Sequence, residues 1–181
     1  MSDDVQDARR AFIRDVYRLG DDLADDVGGT RATLAELRRA LAGDLRPAAL
    51  ELVHRHEPPE REERFWLLTA GLYAINPVNP ARRYPIGEAL GRLESKDSAE
   101  ARLRQLLSTS AEGLVHYARQ AVQLVGAHDL AVDLHPLLTD LITLQSARAH
   151  SEGAYQVRMR WARDFHRGRH ATTTSTEGTD Q

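Results

Sequence analysis

Two histidines near the carboxyl end of the chain have a spacing that could bind a metal ion. His166 and His170 lie four residues apart, so one face of a helix would present both rings, and Asp164 is close by. A stable metal site needs a third and usually a fourth ligand, and the sequence identifies neither. A basic helix end with solvated histidines is the favoured interpretation, so no metal ligand is predicted here.

A His-Asp pair at His128 and Asp129 is typical of metal-dependent phosphohydrolases. Such a site also needs another histidine and a distant carboxylate on neighbouring helices, and His116 with Asp133 or Asp140 could fill these roles. The dipeptide alone is weak evidence, and its position after an apolar helix favours an ordinary interhelical loop. A phosphohydrolase that uses His116, His128 and Asp129 is kept as the alternative function.

No other pattern in the sequence indicates catalysis. The chain has no cysteine, which excludes disulfides, thiol nucleophiles and iron–sulfur clusters. It also has no glycine-rich phosphate loop, no HExxH and no GxSxG motif. We therefore expect no catalytic residue, no metal and no cofactor, and we predict that the protein is not an enzyme.

Arginine supplies almost all of the positive charge. Lys96 is the only lysine among 24 basic residues, and the formal net charge is −3. Residues 145–170 nevertheless carry six arginines against Glu152 and Asp164. A planar guanidinium can bind two phosphate oxygens at once. The overall charge gives no nucleic-acid signal, but the local charge indicates binding to a phosphate backbone.

The last helix combines an apolar stripe with a basic flank. Val157, Trp161 and Phe165 recur every four residues, so they share one face and are predicted to be buried. At about 100° per residue, the flank of this stripe carries three arginines with little opposite charge among them, namely Arg160, Arg163 and Arg167. Such a face is either a surface that tracks a nucleic-acid backbone or an ordinary solvated face.

Six further arginines are candidate nucleic-acid contacts. Tyr84 follows two of them in a proline-bounded loop, and a basic loop beside an aromatic ring can clamp a single strand. The alternatives are an ordinary charged surface and, for those inside helices, a role in helix packing. The six are Arg38 and Arg39 on the second helix, Arg82 and Arg83 in the loop, and Arg102 and Arg119 in later helices.

Helical periodicity runs through nearly the whole chain. Apolar residues recur every three or four positions in about nine segments, and the only extended candidate, Leu130–Val132, lacks a partner. Thr30 can cap the second helix, and Asp97 with Glu100 is typical of a capping box. We predict an all-α fold of about nine helices. Residues 171–181 are rich in Thr, Ser and Gly and are predicted to be a disordered tail.

Length and hydropathy place the chain outside the membrane class. Its 181 residues suit one domain or two small lobes. The longest apolar runs fall far short of the roughly 18 residues that a membrane span needs. The first residues do not have the pattern of a signal peptide. We expect a cytoplasmic protein that makes no contact with a membrane.

Six segments, in this order along the chain, resemble the CasB family, the small subunit of the type I-E CRISPR interference complex Cascade. They are Leu34–Leu41 (LAELRRAL), Phe65–Pro77 (FWLLTAGLYAINP), Pro85–Leu93 (PIGEALGRL), Ala99–Leu107 (AEARLRQLL), Asp133–Leu144 (DLHPLLTDLITL) and Arg160–Phe165 (RWARDF). Together they extend over most of the chain. The Leu-Arg-Arg near the start and the Arg-Trp-Ala-Arg-Asp-Phe near the end are the most specific of these matches.

The resemblance implies a non-enzymatic, all-helical subunit of two lobes, here residues 1–94 and 95–170. It implies assembly with the repeated backbone subunits, the large subunit and a second copy of the same chain. Guide RNA and target DNA, including the displaced strand of the opened duplex (the R-loop), are the implied nucleic-acid partners. The basic positions that match the family are Arg38, Arg39, Arg102, Arg119, Arg160 and Arg163.

Overall fold

The computed structural model describes residues 3–146 and 151–177, and it describes side chains over 3–145 and 151–171. Within these ranges the all-α prediction is confirmed, since nine α-helices and one short 3-10 helix account for the regular structure. The α-helices are α1 (Asp3–Ala24), α2 (Thr30–Ala40), α3 (Pro47–His54), α4 (Glu63–Tyr73), α5 (Ile86–Gly91), α6 (Lys96–Ser108), α7 (Ala111–Gly126), α8 (Leu134–Ser146) and α9 (Glu152–Glu177), and the 3-10 helix is Glu60–Glu62.

One isolated parallel bridge joins Tyr84 to Val132. The amide of Tyr84 donates to the carbonyl oxygen of Ala131 at 3.0 Å, and the amide of Asp133 donates to the carbonyl oxygen of Tyr84 at 2.8 Å. The extended segment Leu130–Val132 therefore does have a partner, which the sequence analysis did not find. The partner lies 48 residues away along the chain, beyond the reach of any local pattern.

Contacts divide the chain into two compact units. Unit 1 comprises Met1–Ala81 and Leu134–Ile142, and unit 2 comprises Arg82–Asp133 and Thr143–Gln181. This division differs from the predicted boundary after residue 94. The reason is that α5 packs extensively on α9, which places it in unit 2. The first part of α8 belongs to unit 1, where the Leu134 amide donates to the Tyr17 hydroxyl at 2.8 Å.

The core of unit 1 is built around α4, which is buried almost all round, as its continuous apolar sequence predicted. The rings of Phe12 and Trp66 lie 4.7 Å apart between centroids, and both side chains are fully buried. A buried ion pair joins Arg9 to Glu62 at 2.7 Å, and the Trp66 indole donates to the same carboxylate at 3.4 Å. These hydrogen bonds compensate the loss of water around both charges.

A second polar network in unit 1 holds the proline-rich loop after α4 against α1. The Tyr73 hydroxyl donates to Asn79 Oδ1 at 2.9 Å, and Asn79 Nδ2 donates to Asp21 Oδ1 at 2.7 Å. A Cβ at Gly20 would stand 2.1 Å from the Tyr73 hydroxyl oxygen, so only glycine lets α1 approach this network.

Helix boundaries differ from the predictions at three ends. Gly29, with φ of 86°, stands at the cap of α2, and Ser95 stands at the cap of α6, neither with a side-chain hydrogen bond. The predicted caps by Thr30 and by Asp97 with Glu100 are therefore wrong. Helix α9 continues to Glu177, through much of the predicted tail, and residues 178–181 lie outside the described residues.

Candidate nucleic-acid interface

Helix α9 is held against α5 by close backbone contact within unit 2. A Cβ at Gly87 would lie 2.2 Å from the carbonyl oxygen of Trp161, and a Cβ at Gly91 would lie 2.1 Å from that of Phe165. A Cβ at Gly168 would lie 2.4 Å from the carbonyl oxygen of Glu88. Three glycines thus allow the two helices to touch. This contact fixes which face of α9 points to solvent.

The predicted apolar stripe of α9 is buried, and its basic flank is exposed. Trp161 is 1% exposed and Phe165 is 3% exposed. On the other face the three arginines that the helical wheel grouped together are all exposed, namely Arg160, Arg163 and Arg167. The sequence therefore predicted the orientation of α9 correctly.

The basic flank was predicted to have little opposite charge, but two carboxylates lie close to one of its arginines. An Arg167 guanidinium nitrogen lies 3.2 Å from Asp164 Oδ1 and 3.8 Å from Glu88 Oε2. The Glu88 carboxylate also forms an ion pair with the Arg92 guanidinium at 2.8 Å. Arg167 is nevertheless 60% exposed, so it is anchored at one side and open to solvent at the other. The carboxylate of Glu88 comes from α5, which is why the local sequence did not reveal it.

Asp164 is a buried acid among these arginines. Burial raises the pKa of its carboxyl above the usual value, while the positive charges of Arg167 and then Arg160 oppose the rise. The negative charge of Glu88 adds to the rise, and the positive charge of Arg163 opposes it slightly. The folded chain thus holds the Asp164 proton more tightly than the unfolded chain does.

The Asp164→Asn substitution is therefore expected to leave the stability at pH 7 unchanged or slightly higher. A group whose pKa is raised in the folded state stabilises the protein at pH values below its pKa in the unfolded state. This stabilisation is lost as the pH rises through the pKa of the folded state. Urea unfolding of both proteins at pH 4 and pH 7 measures the effect. The difference in free energy of unfolding, variant minus parent, should be more positive at pH 7. A more negative difference at pH 7 would mean that the Arg167 ion pair dominates over burial.

Two of the other predicted arginines are engaged in holding helices together. Arg38 donates from a terminal guanidinium nitrogen to the carbonyl oxygen of Ala74 at 2.9 Å, and so satisfies the carboxyl end of α4. Arg102 donates to Gln105 Oε1 and to Gln120 Oε1, both at 2.7 Å, and so connects α6 to α7. For these two residues the structure favours a packing role.

The loop after α4 does not present a free aromatic ring. The guanidinium of Arg92 lies over the Tyr84 ring, 4.2 Å from its centroid, and so covers one face of the ring. A base could stack on that face only if Arg92 moved away. Arg83 is half-buried, while Arg82 is exposed.

Arg39 and Arg119 complete the predicted set. Both are exposed, and among the residues that the structure describes neither makes a side-chain hydrogen bond or ion pair. Arg39 belongs to unit 1 and Arg119 to unit 2. Arg104 on α6, which was not among the predicted residues, is likewise exposed and without such a partner over the described ranges. Its position beside Leu103 on an amphipathic helix was the available signal.

The residues considered for a metal site are not brought together. His116 lies within α7, where its Nε2 is 2.8 Å from Gln120 Nε2, while His128 and Asp129 follow the end of that helix. Over the described ranges, no group of three or more His, Asp or Glu side chains could hold a metal ion. Asp164 lies on the buried side of α9, away from exposed His166 and His170. The phosphohydrolase alternative receives no support from this geometry.

In the described part of the chain, no helix has the length and apolar character that crossing a bilayer requires.

Comparison with known proteins gives a consistent result. A family model described as CRISPR-associated protein Cse2 matches residues 33–166. CasB from Thermobifida fusca is 25% identical with a TM-score of 0.70, covering 88% of this chain and 97% of that one. CasB from M. ruber is 26% identical with a TM-score of 0.66, covering 96% and 98% of the two chains. No curated protein sequence matches.

A chain in a solved CRISPR RNA-guided surveillance complex is also similar in fold. It is 22% identical with a TM-score of 0.69, covering 97% of this chain and 99% of that one. The family model alone covers most of the sequence, and the six segments singled out above all fall within it. The sequence resemblance is thereby confirmed, and the chain belongs to the Cse2/CasB family of CRISPR-associated proteins.

Proposed function

We propose that the chain is a non-catalytic subunit of a CRISPR RNA-guided surveillance complex and binds nucleic-acid backbone without reading its sequence. The observation that carries this proposal is the exposed arginine face of α9, namely Arg160, Arg163 and Arg167. Family membership and the likeness to a chain of such a complex support it. In this role the subunit stabilises the guide–target duplex and the displaced DNA strand.

The distribution of charge supports the placement of this activity in unit 2. Unit 1 carries 16 acidic and 11 basic residues, whereas unit 2 carries 11 acidic and 13 basic residues. A negative polymer is therefore repelled less by unit 2. The exposed arginines of unit 2 without a close carboxylate include Arg82, Arg119 and Arg163.

Contacts of this kind suit a subunit that does not choose the target. In RNA-guided complexes base pairing supplies the sequence specificity, and the protein needs to hold the backbone and the shape of the strands. An exposed arginine face can hold the backbone in this way, because guanidinium groups bind phosphates whatever the base sequence. The other subunits of the complex, a second copy of this chain, guide RNA and target DNA are the proposed partners, and a cytoplasmic location stays a prediction.

Replacing Arg160, Arg163 and Arg167 together by alanine is expected to weaken binding to single-stranded DNA equally for different sequences. If each guanidinium neutralises one phosphate, each lost contact reduces the slope of log affinity against log salt by about 0.7. The slope should therefore become shallower by about 2. Fluorescence anisotropy with three oligonucleotides of unrelated sequence, measured from low to moderate salt, gives both quantities.

A matched control removes the same charge from elsewhere in the chain. Arg10, Arg14 and Arg18 are exposed on α1, four residues apart, and replacing all three by alanine should leave the salt slope nearly unchanged. Asp164→Asn should act in the opposite direction and tighten binding, because it removes the carboxylate that competes for Arg167. An unchanged slope in the α9 variant would reject this face as the interface, and loss of binding to one sequence alone would indicate base readout.

A further inference from the structure

A trough runs between α6 and α9 within unit 2, beside the arginine face. It consists of two adjoining cavities of about 670 and 490 Å³, which share Leu107 and Ser108 as lining residues. Tyr155 lines the first cavity, while Arg104 and His166 line the second. Tyr155 and His166 are 11 residues apart on α9, so the trough extends for about 16 Å along the helix.

The floor of the trough is apolar, and one end presents an aromatic ring. Leu103 and Phe165 lie beneath the second cavity and are almost fully buried. Tyr155 is 56% exposed, so much of its ring is open to solvent at this end of the trough. A ring in this position offers a flat surface on which a base can stack.

The charged groups of the trough favour an anionic occupant. Arg104 is exposed and has no hydrogen-bond or ion-pair partner among the described side chains. The Arg158 guanidinium donates to the carbonyl oxygen of Thr109 at 3.2 Å and keeps its positive charge in the first cavity. Two acidic residues line the trough. One of them, Glu100, forms an ion pair with Arg169 at 3.0 Å, so its negative charge is already compensated.

The remaining acid stands at the end of the trough that holds the aromatic ring. Glu152 lines the first cavity and accepts a hydrogen bond from the side-chain amide of Gln156. A phosphate is therefore repelled at this end and attracted at the end that holds Arg104. An anionic polymer with flat apolar groups fits both ends, since a base can stack on Tyr155 while its phosphates lie toward Arg104.

We infer that this trough binds a short run of single-stranded nucleic acid, with Tyr155 stacking on a base and Arg104 contacting a phosphate. The inference rests on the proposed function and adds a separate site to it. The arginine face of α9 contributes charge alone, whereas the trough contributes stacking and would hold a strand whose bases are unpaired. A duplex, whose bases are already stacked on one another, gains little from Tyr155.

The test uses the full chain and a fluorescein-labelled oligodeoxythymidine as the probe. Tyr155→Ala should weaken binding by at least fivefold without changing the salt slope, because a stacked base is lost and no charge is removed. Tyr155→Phe should bind as the parent does. Arg104→Ala should make the slope shallower by about 0.7, the value for one phosphate. Glu152→Gln should tighten binding, which a purely structural role would not do.

Controls separate the trough from the proposed function. Arg14→Ala, a change of an exposed arginine in unit 1, should leave the slope unchanged, and thermal unfolding should show that each variant remains folded. If Tyr155→Ala leaves oligonucleotide binding intact while the triple α9 variant weakens it, the trough is rejected as a binding site. The proposed function then still stands. Absence of binding by the unmodified chain would overturn both.

Discussion

Gly91→Ala is expected to lower the free energy of unfolding by about 3 kcal/mol, the upper end of the usual range for overpacking a tight contact. The added Cβ would meet the carbonyl oxygen of Phe165 at 2.1 Å, and a backbone atom cannot rotate away as a side chain can. The helices α5 and α9 would have to move apart along their whole contact. Urea unfolding followed by far-ultraviolet circular dichroism measures the loss.

Gly153→Ala provides the matched control within α9. Its Cβ would come no closer than 3.3 Å to a methyl group of Thr143, and the residue is exposed in the first turn. Alanine should be neutral there, or stabilising by up to about 1 kcal/mol through its higher helix propensity. Equal effects of the two substitutions would show that helix propensity alone, without the α5 contact, accounts for the result at Gly91.

Trp161→Ala is expected to cost about 3–5 kcal/mol, the usual range for removing a large aromatic side chain from a core. The indole is 1% exposed, and the helix that carries it cannot collapse into the cavity because its backbone already touches Gly87. Chemical denaturation monitored by circular dichroism gives the free energy of unfolding.

Met159→Ala on the same helix serves as the comparison for that measurement. Met159 is 41% exposed, so its truncation should change stability by less than about 0.5 kcal/mol. The fluorescence of Trp66, which lies in unit 1, reports whether that unit remains folded in the Trp161 variant. A cost near zero at Trp161 would contradict the packed arrangement of α5 and α9.

Periodicity predicted the helices of this chain well because helical periodicity is a local property. The stripe of Val157, Trp161 and Phe165 is buried as expected, and the arginine flank beside it is exposed. Helix α4, apolar all round from Phe65 onward, is buried almost all round for the same reason. Local sequence was less informative about caps, since φ at Gly29 and the backbone at Ser95 decide those ends without any side-chain bond.

Long-range contacts account for most of what the sequence analysis missed at the candidate site. Glu88 reaches Arg167 from a helix 79 residues earlier. The glycines that bring α5 onto α9 carry no side chain, so no apolar pattern marks them. Arg104 and Tyr155 became candidates only when the structure placed α6 beside α9.

The discontinuity of unit 1 has a consequence for synthesis of the protein on the ribosome. Unit 1 needs Leu134–Ile142 to complete its core. This segment interrupts unit 2, which needs both the chain before it and the chain after it. A growing chain cannot finish its first unit until residue 142 has left the exit tunnel, so the two units are unable to fold one after the other as independent modules do. Until then the α1 surface around Tyr17 stays uncovered, and a chain stalled before residue 134 is expected to be a substrate for chaperones and proteases.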